Sequence, residues 1–136
     1  EDGRLLVSLG GVARFMPMEE AEVSTPYRVF AVDYRPFAQV FVRGAGEDLV
    51  DRERLLDVLR RYLEAHNLEA DWRAVGRSSV EQLVNSLSIA SPFGGSEKQA
   101  LLEARDLRAR AETLITLAEM DLAAGERSSG GGSTLQ

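Results

Sequence analysis

The sequence has no cysteine, which excludes disulfide scaffolds, cysteine-ligated zinc and thiol nucleophiles together. It has one histidine, His66, too few for a two-histidine zinc site, and any serine–histidine chemistry would hang on that single ring. Lysine is as scarce: Lys98 stands alone, and the other 15 of the 16 cations are arginine. No apolar run approaches the ~18 residues of a membrane span, and the first residues lack the basic-then-apolar pattern of a signal peptide. Positive charge is also in deficit, with 16 basic against 22 acidic residues and a net charge of −6, so the field of the molecule repels phosphate backbones and anionic membranes. No basic region is concealed by the average: five basic and six acidic residues precede the cut after Ala45, and 11 and 16 follow it. These absences predict a soluble, cytoplasmic protein without a nucleic-acid or membrane partner.

What is present is enough for one ordinary core, since 44% of 136 residues are apolar. Residues 4–43 read as extended structure. Leu5, Leu6, Val7 and Leu9 form an apolar run ending at Gly10-Gly11, and Val12, Phe15, Met16 and Met18 continue with strand-like composition. Pro17 cannot donate to a ladder, so it belongs at an edge, a bulge or a strand end. After Thr25-Pro26, the alternation from Tyr27 to Tyr34 predicts a further strand, closed by Pro36. A few such strands leave edges exposed, which points to part of a larger β unit and to self-association through those edges.

Gly44-Ala45-Gly46 marks the change from alternation to helical periodicity and reads as a hinge. Asp51 is placed to cap a helix with Leu55, Leu56, Leu59, Tyr62 and Leu63 on one face, ending near Asn67. A short helix is expected from Asp71 to Val75, stopped by Gly76, with Trp72 anchoring it in the core. Ser78 to Glu81 has the spacing of a capping box ahead of the stripe Val80, Leu83, Val84 and Leu87, and Ser96 to Gln99 repeats it ahead of Ala100, Leu101 and Leu102. Asp106 caps the last helix, whose face is Leu107, Ala111, Leu114, Ile115, Ala118 and Leu122. The division predicted is therefore 1–45 for β structure, 46–124 for helices and 125–136 for a flexible glycine- and serine-rich tail.

Few residues suggest catalysis, and each has a simpler role. His66 falls at a helix C-terminus, where an imidazolium is favoured by unpaired carbonyls. Glu19-Glu20-Ala21-Glu22 lacks a second ligand cluster and reads as a solvated loop rather than a metal site. No glycine pair has the lysine and hydroxyl residue of a phosphate-binding loop. Ser96 and Lys98 are two residues apart at a helix start and do not face each other as a nucleophile and base would. No catalytic residue, metal or cofactor is expected. The candidates for function are instead Phe15, Met16 and Met18, where thioethers flanking a proline could repack around an extended apolar peptide.

The stretch Leu83-Val84-Asn85-Ser86-Leu87, then Pro92-Phe93, Glu97 through Ala104, Asp106-Leu107, Arg110-Ala111-Glu112 and Leu114-Ile115, resembles the helical end of the Lon protease N-terminal, or substrate-binding, domain. Upstream, Leu5 through Phe15 resembles that family's strand pair with its G-x-x-R-F turn, and Thr25-Pro26-Tyr27-Arg28 resembles the strand that follows. The resemblance spans nearly all of residues 4–123. It implies an α+β fold, a partial PUA-like β pseudobarrel followed by a bundle of four or five helices, with the family's first strands lacking. It also implies binding of unfolded or extended polypeptides without catalysis, in a stand-alone relative of the domain. The alternative is the N-terminal piece of an ATP-dependent Lon protease, whose ATPase and serine–lysine peptidase modules would lie elsewhere. Nucleic-acid binding, by analogy with other PUA-like folds, is opposed by the acidic charge.

Overall fold

The computed structural model describes residues 3–130. The chain divides into two compact units, Glu1–Val42 and Arg43–Gln136. Its class is α+β: one two-stranded antiparallel sheet in the first unit and helices in the second.

In the first unit, β1 (Met16–Glu20) pairs with β2 (Phe30–Asp33). Met16 lies opposite Asp33 and Pro17 opposite Val32, after which the register shifts before Glu20 meets Phe30. Pro17 thus sits at the start of an irregular stretch in a strand with one neighbour, where a missing N–H is tolerated. The hairpin is closed by Ala21 N–H donating to Val29 O (2.8 Å) and by a two-pronged Arg28–Glu20 pair at 2.8 Å. The strand expected over Leu5–Leu9 does not form. Residues 3–15 have no regular structure, and Leu5, Leu6 and Leu9 are at least 90% exposed. Composition supplied β propensity there, but an isolated strand has no ladder to stabilise it. Two strands do not close a barrel, and among the described residues of this unit Phe37 alone is a buried hydrophobic, with the Arg14 guanidinium 4.4 Å from its ring centroid. Phe37 lies in a 3-10 segment, Arg35–Phe41, begun by Pro36.

The second unit holds five α-helices: α1 (Arg52–Ala65), α2 (Trp72–Arg77), α3 (Val80–Ala90), α4 (Gly95–Glu103) and α5 (Leu107–Gly130). With the two 3-10 segments, Arg35–Phe41 and Glu47–Leu49, the helical pieces outnumber the four or five expected. The long helix α5 is central, packing against α1, α3 and α4. Its predicted face is buried from Leu107 through Ala118 and meets Leu55, Val58 and Tyr62 of α1 and Val80 and Val84 of α3 in one core. Asp51 and Asp106 accept backbone N–H groups from Arg54 and Ala109, as their positions ahead of the apolar stripes dictate.

Several local expectations are corrected. The capping box of α3 uses Ser79 and Gln82, one residue later than the Ser78–Glu81 pair. Ser78 is already committed to α2: its N–H and its hydroxyl both donate to Ala74 O. The second box does not form either, because α4 begins at Gly95 behind Gly94, and Ser96 Oγ turns to Glu97. Gly76 lies inside α2 rather than stopping it. Trp72 is 39% exposed with the Arg60 guanidinium over its ring, since a six-residue helix buries none of its own side chains. Residues 125–130, assigned to the tail, continue α5, where each added residue gains a hydrogen bond once the helix is nucleated. The remainder of the tail lies outside the described residues.

The link from Arg43 to α3 is made by two carboxylates. Glu47 Oε1 accepts the Glu81 N–H at 3.0 Å in the first turn of α3, and Glu81 Oε2 accepts the Gly44 N–H at 3.3 Å. Gly44 and Gly46 take left-handed φ of 72° and 79°, which glycine adopts without Cβ strain. The Glu81 N–H, the Ser79 hydroxyl and the nearby Arg52 and Arg43 charges hold the Glu47 carboxyl below its ordinary 4.5. A depressed carboxyl stabilises the fold above its unfolded pKa and loses that contribution as pH falls through the lower folded value. Glu47→Gln should therefore lower the urea midpoint at pH 7, and the gap from the parent should close progressively below pH 4.5. Urea titrations of both proteins across that range check this, and a gap independent of pH would refute it.

Candidate functional site

Phe15, Met16 and Met18, singled out in the sequence, all lie at or beside β1. None is buried: Phe15 is 49%, Met16 42% and Met18 63% exposed. Met16 and Met18 occupy alternate positions of the strand, so the intervening Pro17 separates two thioethers without adding a donor. Phe15 meets Tyr34 edge to face at 6.1 Å between centroids, and Tyr34 meets Phe41 at 6.5 Å. Tyr34 and Phe41 complete an exposed aromatic row that reading residue by residue missed. Their signal was the Tyr34-Arg35-Pro36 junction, where proline starts a 3-10 turn and folds the chain back along the ribbon.

Two of the carboxylates around this row are paired with arginine. The Arg28 fork holds the Glu20 carboxyl below its usual range, and Arg35 does the same for Asp33 through bonds of 2.8–3.0 Å. The acidic cluster at 19–22 therefore has one carboxylate engaged by arginine. Among the described residues no group of three histidine, cysteine, aspartate or glutamate side chains could hold a metal ion. What remains at the ribbon is adaptable apolar surface flanked by the exposed Glu19 and Glu22, beside a sheet in which, among the described residues, each strand has one neighbour and one open edge. Such a surface can take an extended chain by strand addition, with methionine and aromatic side chains accommodating its residues.

The second unit offers less. A small apolar crevice, open to solvent, runs along Leu55, Tyr62, Leu87, Phe93 and Ile115, with Ser91 at its wall. These residues are the packed core and its margin, so the crevice belongs to the bundle. His66 is the C-cap residue of α1, and its Nε2 lies 2.5 Å from Asp121 Oδ2 on α5. The Tyr62 ring lies against His66 at 4.4 Å between centroids with the planes tilted by 47°, and burial, with a smaller effect of the Asp121 charge, pushes the Tyr62 hydroxyl up. This cluster clasps α1 to α5. Asp121 as the partner of His66 was invisible to local reading because 55 residues separate them. Lys98 Nζ donates to Ile89 O while Ser96 Oγ donates to Glu97, so the two side chains have different partners.

Among the described residues no helix is long and apolar enough to cross a membrane. Comparison of the chain with protein-family models, curated proteins and solved structures gives no match.

Proposed function

We propose that this chain is a noncatalytic polypeptide-binding domain of the Lon N-terminal type, acting in cytoplasmic protein turnover or quality control. One observation carries the reading: two exposed faces, Phe15, Tyr34 and Phe41 on one and Met16 and Met18 on the other, beside the open edges of a two-stranded sheet. The resemblance of residues 4–123 supplies the family, and β1 and β2 are then two strands of its PUA-like pseudobarrel. An extended client adds its backbone to a ladder edge and sets alternate side chains against the methionines and aromatic rings. The thioethers suit varied clients because they repack without fixed geometry.

The test is fluorescence anisotropy of a labelled, permanently unfolded model protein titrated with the chain. Saturable binding is expected, weakened roughly tenfold by Met18→Glu, since a carboxylate would have to be desolvated beneath an apolar side chain. Ile89→Glu, at a 77% exposed position of α3, should leave binding unchanged. No binding by the parent protein at any reachable concentration, or equal losses in both variants, sinks the proposal.

A further inference from the structure

The apolar segment ahead of β1 and the open edge of β2 fit each other. Leu5, Val7 and Leu9 alternate with Leu6 and Ser8, so in extended form the segment presents three aliphatic side chains on one face. Phe30 and Val32 likewise share a face of β2, and both remain more than a third exposed. A strand added beside β2 with Leu5, Val7 and Leu9 on that face extends the apolar row, whereas a one-residue slip would set Leu6 and Ser8 there instead. β2 contains no proline and keeps every backbone N–H, whereas β1 has lost one at Pro17.

Within one chain the segment is not on that edge, since Leu5, Leu6 and Leu9 are almost wholly exposed. We infer that its acceptor is a second copy: residues 5–9 of each protomer add as a third strand to β2 of the other, in a symmetric exchange. The exchange is reciprocal, so a twofold pair closes with both segments covered and neither β2 edge open. It covers the largest stretch of exposed aliphatic surface in the described part of this unit and needs no other molecule. The inference stands apart from client binding, because it concerns the β2 edge and the segment rather than the methionines.

Sedimentation of the full chain across a concentration series should show a monomer–dimer equilibrium. Val7→Pro removes a donor from the added strand and should raise the dissociation constant by roughly tenfold or more. The substituted residue belongs to the first unit, so the thermal midpoint of the helical unit, followed by circular dichroism, should not move with that substitution. The native chain has no cysteine, which makes disulfide trapping clean. Ala31→Cys mixed with Leu6→Cys or Ser8→Cys should give an interchain disulfide, because directly opposed strand residues fall within bridging distance. A parent protein monomeric at the highest concentrations, dimerisation unaffected by Val7→Pro, or an exclusively intrachain disulfide in a monomeric double-cysteine variant would each overturn the exchange. The anisotropy titration is read through Met18 on β1, away from the β2 edge that the exchange covers, and Val7→Pro leaves Met18 in place, so failure of this pairing and failure of client binding are distinguishable.

Discussion

Leu101→Ala should lower the unfolding free energy of the helical unit by about 2–5 kcal/mol, the range for truncating a fully buried leucine when its surroundings cannot collapse into the space. The reason for expecting so large a loss lies in α4. That helix has no side-chain cap, and Leu101 is its one buried residue, at 2% exposure. It is thus the only apolar side chain fixing α4 within the core shared with α3 and α5. Typical domains are stable by only ~5–15 kcal/mol, so this single change should remove a large part of the total. Leu102, adjacent in sequence but 54% exposed, provides the control: Leu102→Ala should cost less than about 1 kcal/mol. Urea unfolding followed by the circular dichroism of the helices measures both. Equal losses would mean that α4 is not held by Leu101.

The contrast between those neighbours shows what a sequence can and cannot disclose. Both leucines follow the same predicted helix start, and nothing local says which one meets α5. In α5 itself the face was legible because Leu107, Ala111, Leu114, Ile115 and Ala118 repeat over more than three turns, and a period of that length leaves one orientation toward a core. Caps were legible where one candidate stood alone, as at Asp51 and Asp106. They were ambiguous where two competed: Ser78 and Ser79 both have an acidic or amide side chain three residues on, and the end of α2 decided between them by engaging Ser78. The β region was least legible. The alternation over Tyr27–Tyr34 formed β2, whereas the apolar run of Leu5–Leu9 formed no strand, because pairing depends on a neighbouring strand that composition does not supply.

The site divides along the same line. Phe15, Met16 and Met18 could be chosen from residue type and the intervening proline, and all three are exposed beside the sheet. Tyr34 and Phe41 join Phe15 only through the 3-10 turn at Pro36, a tertiary consequence of local chemistry. That the row is apolar while its neighbouring carboxylates are bound by Arg28 and Arg35 matters for the proposed binding. A client strand meets thioethers and rings there, with Glu20 and Asp33 paired to Arg28 and Arg35, while Glu19 and Glu22 stand exposed at the strand end.

Arg110→Ala should destabilise the helical unit by about 3 kcal/mol, and Arg110→Met by markedly less. Arg110 lies on α5 at 9% exposure, its guanidinium taken out of water among α3, α4 and α5. Its Nε donates to Leu101 O at 3.1 Å and its Nη1 to Asn85 Oδ1 at 2.5 Å, so one side chain ties the other two helices to α5. Its Nη2 is buried without a hydrogen-bond partner. Burial pushes the guanidinium pKa down, and the Glu81 and Asp106 charges partly offset that shift. Alanine removes the packed stem and leaves the Leu101 carbonyl and the Asn85 amide unpaired. Methionine leaves the same two acceptors but keeps most of the stem volume, and it also removes a buried charge and the unsatisfied Nη2. The comparison therefore separates packing from polar pairing. If methionine proves as damaging as alanine in urea unfolding, the two hydrogen bonds dominate; if it approaches the parent, α5 is held to its neighbours chiefly by the aliphatic stem.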